Sequence, residues 1–140
     1  MNFKLVTLKG VKIDQEVYEV MLPTPEGRIA VFPDHEALVT LAVPGEVAVR
    51  RNKEDSDDKL EYFAVSGGVV EIASNKIRVL VDEADHGDDI IEAESRKALE
   101  RAIEMKNNAT NQVELDKAYE LVDRHAVRLK VAELRRRHRR

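Results

Sequence analysis

Lys76-Ile77-Arg78-Val79-Leu80-Val81-Asp82-Glu83-Ala84-Asp85-His86-Gly87-Asp88-Asp89-Ile90-Ile91-Glu92-Ala93-Glu94-Ser95-Arg96-Lys97-Ala98-Leu99-Glu100-Arg101-Ala102-Ile103-Glu104-Met105 holds two hydrophobic periods, one after the other. Lys76–Val81 alternates polar and apolar, the period of a half-buried strand. After Gly87 the apolar residues Ile91, Ala98, Ala102 and Met105 recur at spacings of seven, four and three, the period of one helix face. The change of period predicts a strand region, residues 1–87, followed by a helical region, residues 88–140.

Upstream, Val, Ile, Leu and Thr dominate between recurring turn signals at Lys9-Gly10, Pro23-Thr24-Pro25-Glu26-Gly27, Pro33-Asp34, Pro44-Gly45, Gly67-Gly68 and Ser74-Asn75. Proline fixes φ and glycine accepts positive φ, so these clusters break the chain into short strands. Glu46-Val47-Ala48-Val49-Arg50 alternates as well, and Asn52–Lys59 reads as a long, exposed, acidic hairpin loop. Many short strands with regular turns predict an antiparallel β-sandwich or barrel. Downstream no Gly or Pro occurs, and Asp88 or Asp89 is expected to cap the first helix. Asn107-Asn108-Ala109-Thr110-Asn111 is a polar break before a second stripe of Leu115, Ala118, Val122, Ala126 and Leu129. Two amphipathic helices joined by a short loop predict an antiparallel hairpin. Its Ala-lined seam buries little apolar surface, so only marginal stability is expected of it.

The 140 residues suit one domain or two small ones, and 36% charged residues suit a soluble chain. Without cysteine there is no disulfide, thiolate site or thiol nucleophile. No basic leader precedes an apolar run, and no stretch of about 18 apolar residues exists, so neither signal-dependent secretion nor a membrane span is expected. The net charge of −4 hides an uneven distribution. Residues 1–87 carry 10 Lys/Arg against 16 Asp/Glu, and residues 88–123 carry 5 against 10. Residues 124–140 carry 8 against the single Glu133 and end in Arg135-Arg136-Arg137-His138-Arg139-Arg140. Basic residues in a last turn complement the helix dipole, but this run is longer than one turn and predicts an acidic partner.

Motifs for catalysis are missing. Gly67-Gly68 lacks dinucleotide spacing, no Gly-Lys-Ser/Thr exists, and His35-Glu36 would need a second histidine where Val39 stands. His35, His86, His125 and His138 share no metal-ligand spacing, and Ser66 has Ala64 where a nucleophile elbow needs glycine. Neither a metal nor catalysis is expected.

Glu26-Gly27-Arg28-Ile29-Ala30-Val31-Phe32-Pro33-Asp34-His35-Glu36-Ala37-Leu38-Val39-Thr40 with Pro44-Gly45, then Phe63-Ala64-Val65-Ser66-Gly67-Gly68-Val69-Val70-Glu71-Ile72, and finally Arg128-Leu129-Lys130-Val131-Ala132-Glu133-Leu134 stand in the order of three motifs of one family. In these the chain resembles the ε subunits of F-type ATP synthases, bacterial or organellar. The resemblance implies a β-sandwich followed by a helical hairpin, and a non-catalytic place on the central stalk. The sandwich would dock on the γ subunit and touch the c-subunit ring. The hairpin would fold on the sandwich, or extend into the α/β catalytic head and inhibit ATP hydrolysis. It also implies a peripheral position on the cytoplasmic face of the membrane, or the stromal face in an organelle.

By the same resemblance, Glu26, Gly27, Arg28 and His35 fall in the segment near the stalk and c-ring contacts, although His35 also suits a packing or capping role. Arg124, Arg128, Lys130, Arg135, Arg136 and Arg137 would face an acidic β-subunit surface in the extended state, or form a solvated basic helix end. Gly67 and Gly68 are expected to serve a turn or bulge. Nucleotide-binding members carry Ile/Leu-Asp, two residues, then Arg-Ala, where this chain has Ile91-Glu92-Ala93-Glu94-Ser95-Arg96. Arg96 is one residue late, a rotation of about 100° around a helix. Glu83, Arg124 and Arg128 match the remaining positions, so weak ATP binding or none is expected. Two other readings are a nucleic-acid-binding module using the Arg-rich tail, with a steep salt dependence, and a small-molecule-binding or enzymatic sandwich, for which no convergent polar set is visible.

Overall fold

A computed structural model of the chain describes residues 1–138. Arg139 and Arg140, the end of the basic run, lie outside the described residues. The strands in chain order are β1 (Asn2–Thr7), β2 (Gly10–Glu16), β3 (Glu19–Thr24), β4 (Gly27–Val31), β5 (Leu38–Ala42), β6 (Gly45–Arg50), β7 (Glu61–Val65), β8 (Gly68–Ala73), β9 (Lys76–Val81) and β10 (Ala84–His86). They form two five-stranded sheets, ordered β2-β1-β9-β8-β5 and β10-β7-β6-β3-β4. The helices are α1 (Glu92–Asn107) and α2 (Gln112–His138). This is the β-sandwich and helical hairpin that the two periods predict.

Alternation decides which face each strand buries. In β9, Ile77, Val79 and Val81 point inward, while Lys76, Arg78 and Leu80 point out. Phe3, Leu5, Leu22, Val49 and Val70 meet these residues in a core that, among the described residues, no helix residue enters. One pairing departs from an antiparallel sandwich: β1 runs parallel to β9, with Phe3 opposite Ile77 and Leu5 opposite Val79. Turn signals report only pairs joined by a hairpin, whereas this pair closes across most of the sandwich sequence. Gly68 sits where β8 meets β9, and a Cβ there would collide with the Leu80 carbonyl. Close backbone approach, rather than positive φ, is what requires glycine at this position. The acidic loop between β6 and β7 is tied down by Arg50, which pairs with Glu19 at 3.3 Å and Asp57 at 2.7 Å.

The entry to the hairpin differs from the expected cap. Asp88 and Asp89 lie in a 3-10 turn, Gly87–Asp89, and α1 opens only at Glu92, with Ile91 at its N-cap and no side-chain cap. The 3-10 turn is capped instead by His86, whose Nδ1 accepts from the Asp88 N–H at 3.0 Å while Nε2 faces Glu61 at 3.1 Å. At the helix–helix turn, Asn111 Oδ1 accepts from the Glu114 N–H at 2.9 Å, and the Glu114 carboxylate accepts from the N–H and hydroxyl of Thr110. Asn111 thus caps α2, while Glu114 reaches back past it to the preceding Thr110.

The buried stripes are also shifted. On α1 the residues turned inward are Ser95 and Ala102, while Ile91 and Met105 are exposed. On α2, Ala118 is buried against α1, but Ala126 is exposed. The second half of α2 turns a different face to the outer side of β6 and β7. There Val131 and Ala132 pack with Ala48, Tyr62, Ala64 and Ile90. A single stripe cannot describe a helix that contacts α1 first and a sheet afterwards.

Candidate functional site

The signature segment is split between the two ends of the sandwich. Glu26 lies in the exposed turn between β3 and β4, and Gly27 (φ 118°) opens β4 directly after it. Arg28 follows and pairs with Glu46 at 2.9 Å. His35 lies beyond the opposite end of β4, half-buried, with Nδ1 2.7 Å from the Glu36 carbonyl. Glu26, Gly27 and Arg28 are therefore neighbours, and His35 is not part of their group.

The basic residues of α2 are brought together along one side of the hairpin, facing the chain's own acidic body. Arg124 Nε meets Glu83 at 3.2 Å, and Arg128 Nη1 meets Asp85. Lys130 Nζ meets Glu46 at 3.0 Å, so Glu46 holds both Lys130 and Arg28. Arg135 meets Asp88 at 3.1 Å, and Arg136 meets Glu92 at 3.1 Å. Arg137 is exposed and makes no ion pair among the described residues. In this folded arrangement the acidic partner of five of these cations is the chain's own body, through a ladder of direct ion pairs. Sequence separations of up to 84 residues hid the pairing from any local pattern.

Glu83, Arg124 and Arg128, the candidate nucleotide residues, line a cavity of about 540 Å³ between α2 and one end of the sandwich. Asp82, Asp85, Glu120 and Asp123 line it too, so carboxylates outnumber the cations Lys9, Arg124 and Arg128. Both arginines are already engaged with Glu83 and Asp85. Near this cavity His125 is half-buried, with Nδ1 lacking a partner among the described residues. Burial, followed by the charges of Arg124, Arg128 and Arg101, holds its pKa below the ordinary imidazole value.

A further feature escaped the sequence reading. On the outer face of the first sheet, register places Leu41 opposite Val69, Val69 opposite Leu80, Leu80 opposite Val6, and Val6 opposite Val11. Five apolar side chains thus form one row across all five strands, about 19 Å long at the usual strand spacing. Leu41 is 58% exposed and Val11 56%, and neither α-helix covers the row. The next row, Val39, Glu71, Arg78, Lys4 and Asp14, is mostly charged. The local signal was a failure of alternation, since Val6, Val69 and Leu80 are apolar on the face that should be polar.

The family model described as ATP synthase, Delta/Epsilon chain, beta-sandwich domain matches residues 1–87. An ATP synthase epsilon chain of Herpetosiphon aurantiacus is 32% identical over 136 residues, covering 97% of this chain and 96% of that one. An ATP synthase epsilon chain of Chloroflexus aggregans is 30% identical over 134 residues, covering 96% and 93%. Among solved structures, a chain of the Euglena gracilis mitochondrial ATP synthase superposes with a TM-score of 0.79 at 21% identity, over 94% of this chain and 79% of that one. A chain of the Tetrahymena thermophila mitochondrial ATP synthase central stalk and c-ring gives 0.61 at 15% identity, over 94% and 96%. The structural matches speak to the fold, and the sequence matches run through sandwich and hairpin alike. By the family model and the sequence relatives, the chain belongs to the ATP synthase epsilon-chain family.

Proposed function

We propose that this chain is the non-catalytic ε subunit of an F-type ATP synthase central stalk, docking on the γ subunit and the c-ring and coupling their rotation to the catalytic head. The observation that carries the docking is the exposed row Leu41–Val69–Leu80–Val6–Val11. An uncovered apolar patch spanning a whole sheet marks an interaction surface, because water contact there is unfavourable. The γ subunit is its proposed occupant, and the turn bearing Glu26, Gly27 and Arg28 is the proposed c-ring contact. His35, at the other end of β4, serves a separate contact or its local loop. No helix of the described residues is long and apolar enough to cross a membrane. The chain's place is peripheral, on the cytoplasmic or stromal face, through the complex.

Regulation belongs to the hairpin. Folded, it is held by the ladder from Arg124 to Arg136; extended, the same arginines would pair with acidic surface on the α/β head and inhibit hydrolysis. A partner shifts this equilibrium only by its differential affinity for the two states. ATP is not proposed as the controlling ligand. The cavity around Glu83, Arg124 and Arg128 has excess negative charge, and Ser95 is buried where the nucleotide-binding pattern has arginine. Nor does a nucleic-acid role for the tail gain support, since five of its cations are occupied by this chain's own carboxylates. The direct test mixes the purified full chain with the γ subunit of the same enzyme on a sizing column. Co-elution at one-to-one stoichiometry is expected, and separate elution at micromolar concentration contradicts the proposal.

A further inference from the structure

We infer that the cavity at the end of the sandwich receives a lysine or arginine side chain carried by an apolar segment of the docked partner, so that docking and the folded hairpin stabilise each other. The inference rests on the docking reading above and goes further, assigning a second contact and a consequence. The apolar row does not stop at the sheet. Leu8, two residues beyond Val6 in the β1–β2 turn, is 83% exposed and also lines the cavity. Pro44, Val65 and Val127 continue the apolar lining inside. A segment lying along the row therefore has apolar side chains to follow from Val6 over Leu8 to the cavity, where Lys9 also stands.

The charges decide what enters. With Arg124 and Arg128 engaged by Glu83 and Asp85, the uncommitted groups are Asp82, Glu120, Asp123 and Lys9. None of these three carboxylates makes a side-chain hydrogen bond or ion pair among the described residues. Phosphate would meet net repulsion. An aliphatic stem ending in a cation matches both parts: the stem covers Leu8, Pro44 and Val127, and the head reaches carboxylates for charge-assisted hydrogen bonds. One third of this lining, Glu120, Asp123, Arg124, Val127 and Arg128, is α2 itself. The cavity thus exists only while the hairpin lies on the sandwich, and whatever fills it favours that state. By linkage the folded hairpin must strengthen docking by the same factor.

Affinity for the γ subunit would be measured by titration calorimetry on the full chain, as wild type, Glu120→Gln/Asp123→Asn and Leu41→Asp, with circular dichroism verifying each fold. Amide exchange in α2 would be followed with and without γ. Expected are about tenfold weaker binding by the Glu120→Gln/Asp123→Asn variant, a difference of about 1.4 kcal/mol, and a γ-dependent slowing of α2 exchange that this variant loses. If that variant binds as wild type while Leu41→Asp binds weakly, the cavity inference is overturned and the docking reading stands. If Leu41→Asp also binds normally, the docking reading fails and takes the inference with it. If spermidine alone slows α2 exchange as strongly as γ does, the cavity serves a free polyamine, and the inference is overturned as well.

Discussion

His125 shows how one side chain can set a condition on the hairpin. It is surrounded by Arg101 from α1, Arg124 and Arg128 from α2, and Glu83 from the sandwich. Burial first, then the three arginines, favours the neutral ring, while Glu83 alone opposes them. In the unfolded chain the ring titrates at about 6.5. Because the folded value is the lower one, this contribution to stability is complete above about pH 6.5 and is lost as pH falls toward and through the folded value. Carboxylates act in a lower window. Glu114 is held below its ordinary value by hydrogen bonds, first from the Thr110 N–H and then from its hydroxyl. For Glu61, burial alone would raise the value, but Arg51 and His86 outweigh it. Faster amide exchange in α1 and α2 is therefore expected at pH 5.5 than at pH 7.5, after correction for intrinsic rates, with the sandwich unaffected. An NMR titration placing the His125 ring at or above 6.5 would contradict this account.

The helix α2 carries the regulatory argument, and its sequence was only partly legible. Its existence, its partner α1 and the Asn107–Asn111 turn followed from period and composition. The face packed against β6 and β7 did not, because Val131 and Ala132 belong to a second stripe that begins only where the helix leaves α1. The ladder was equally hidden, since a charge total cannot reveal that Lys130 finds Glu46 or that Arg128 finds Asp85. These pairs suggest a test that leaves the arginines intact. Exposed pairs contribute roughly 0.2–1 kcal/mol each. Replacing Glu46, Glu83 and Asp85 by Gln, Gln and Asn removes the sandwich side of three pairs. The triple variant is expected to shift the hairpin about tenfold toward the extended state, on the order of 1.4 kcal/mol for three exposed pairs. ATP hydrolysis by the assembled enzyme should fall, whereas Arg→Ala substitutions on α2 should raise it. Equal rates for both variants would remove electrostatics from the regulation.

In the molecule as a whole, the outer face of one sheet carries the proposed docking row and the outer face of the other carries the hairpin, with the cavity where the two meet. The two-sheet core was legible because alternation marks inward residues strand by strand. The docking row was not, because it runs across strands distant in sequence and emerges only from register. Even so, its members stood in plain view as apolar residues on faces that should have been polar. The chain's lack of cysteine makes the surface easy to probe, since a single introduced thiol has no competitor. A Leu41→Cys variant keeps an apolar side chain at an exposed position of the edge strand, and its reaction with a maleimide can be timed in the free chain and after addition of saturating γ subunit. A docked row predicts rapid labelling of the free chain and slowing by at least about tenfold in the complex, as expected for a site excluded from water at an interface, while a control thiol replacing exposed Glu104 on α1 keeps its rate. Equal labelling of Cys at position 41 with and without bound γ would contradict the central claim.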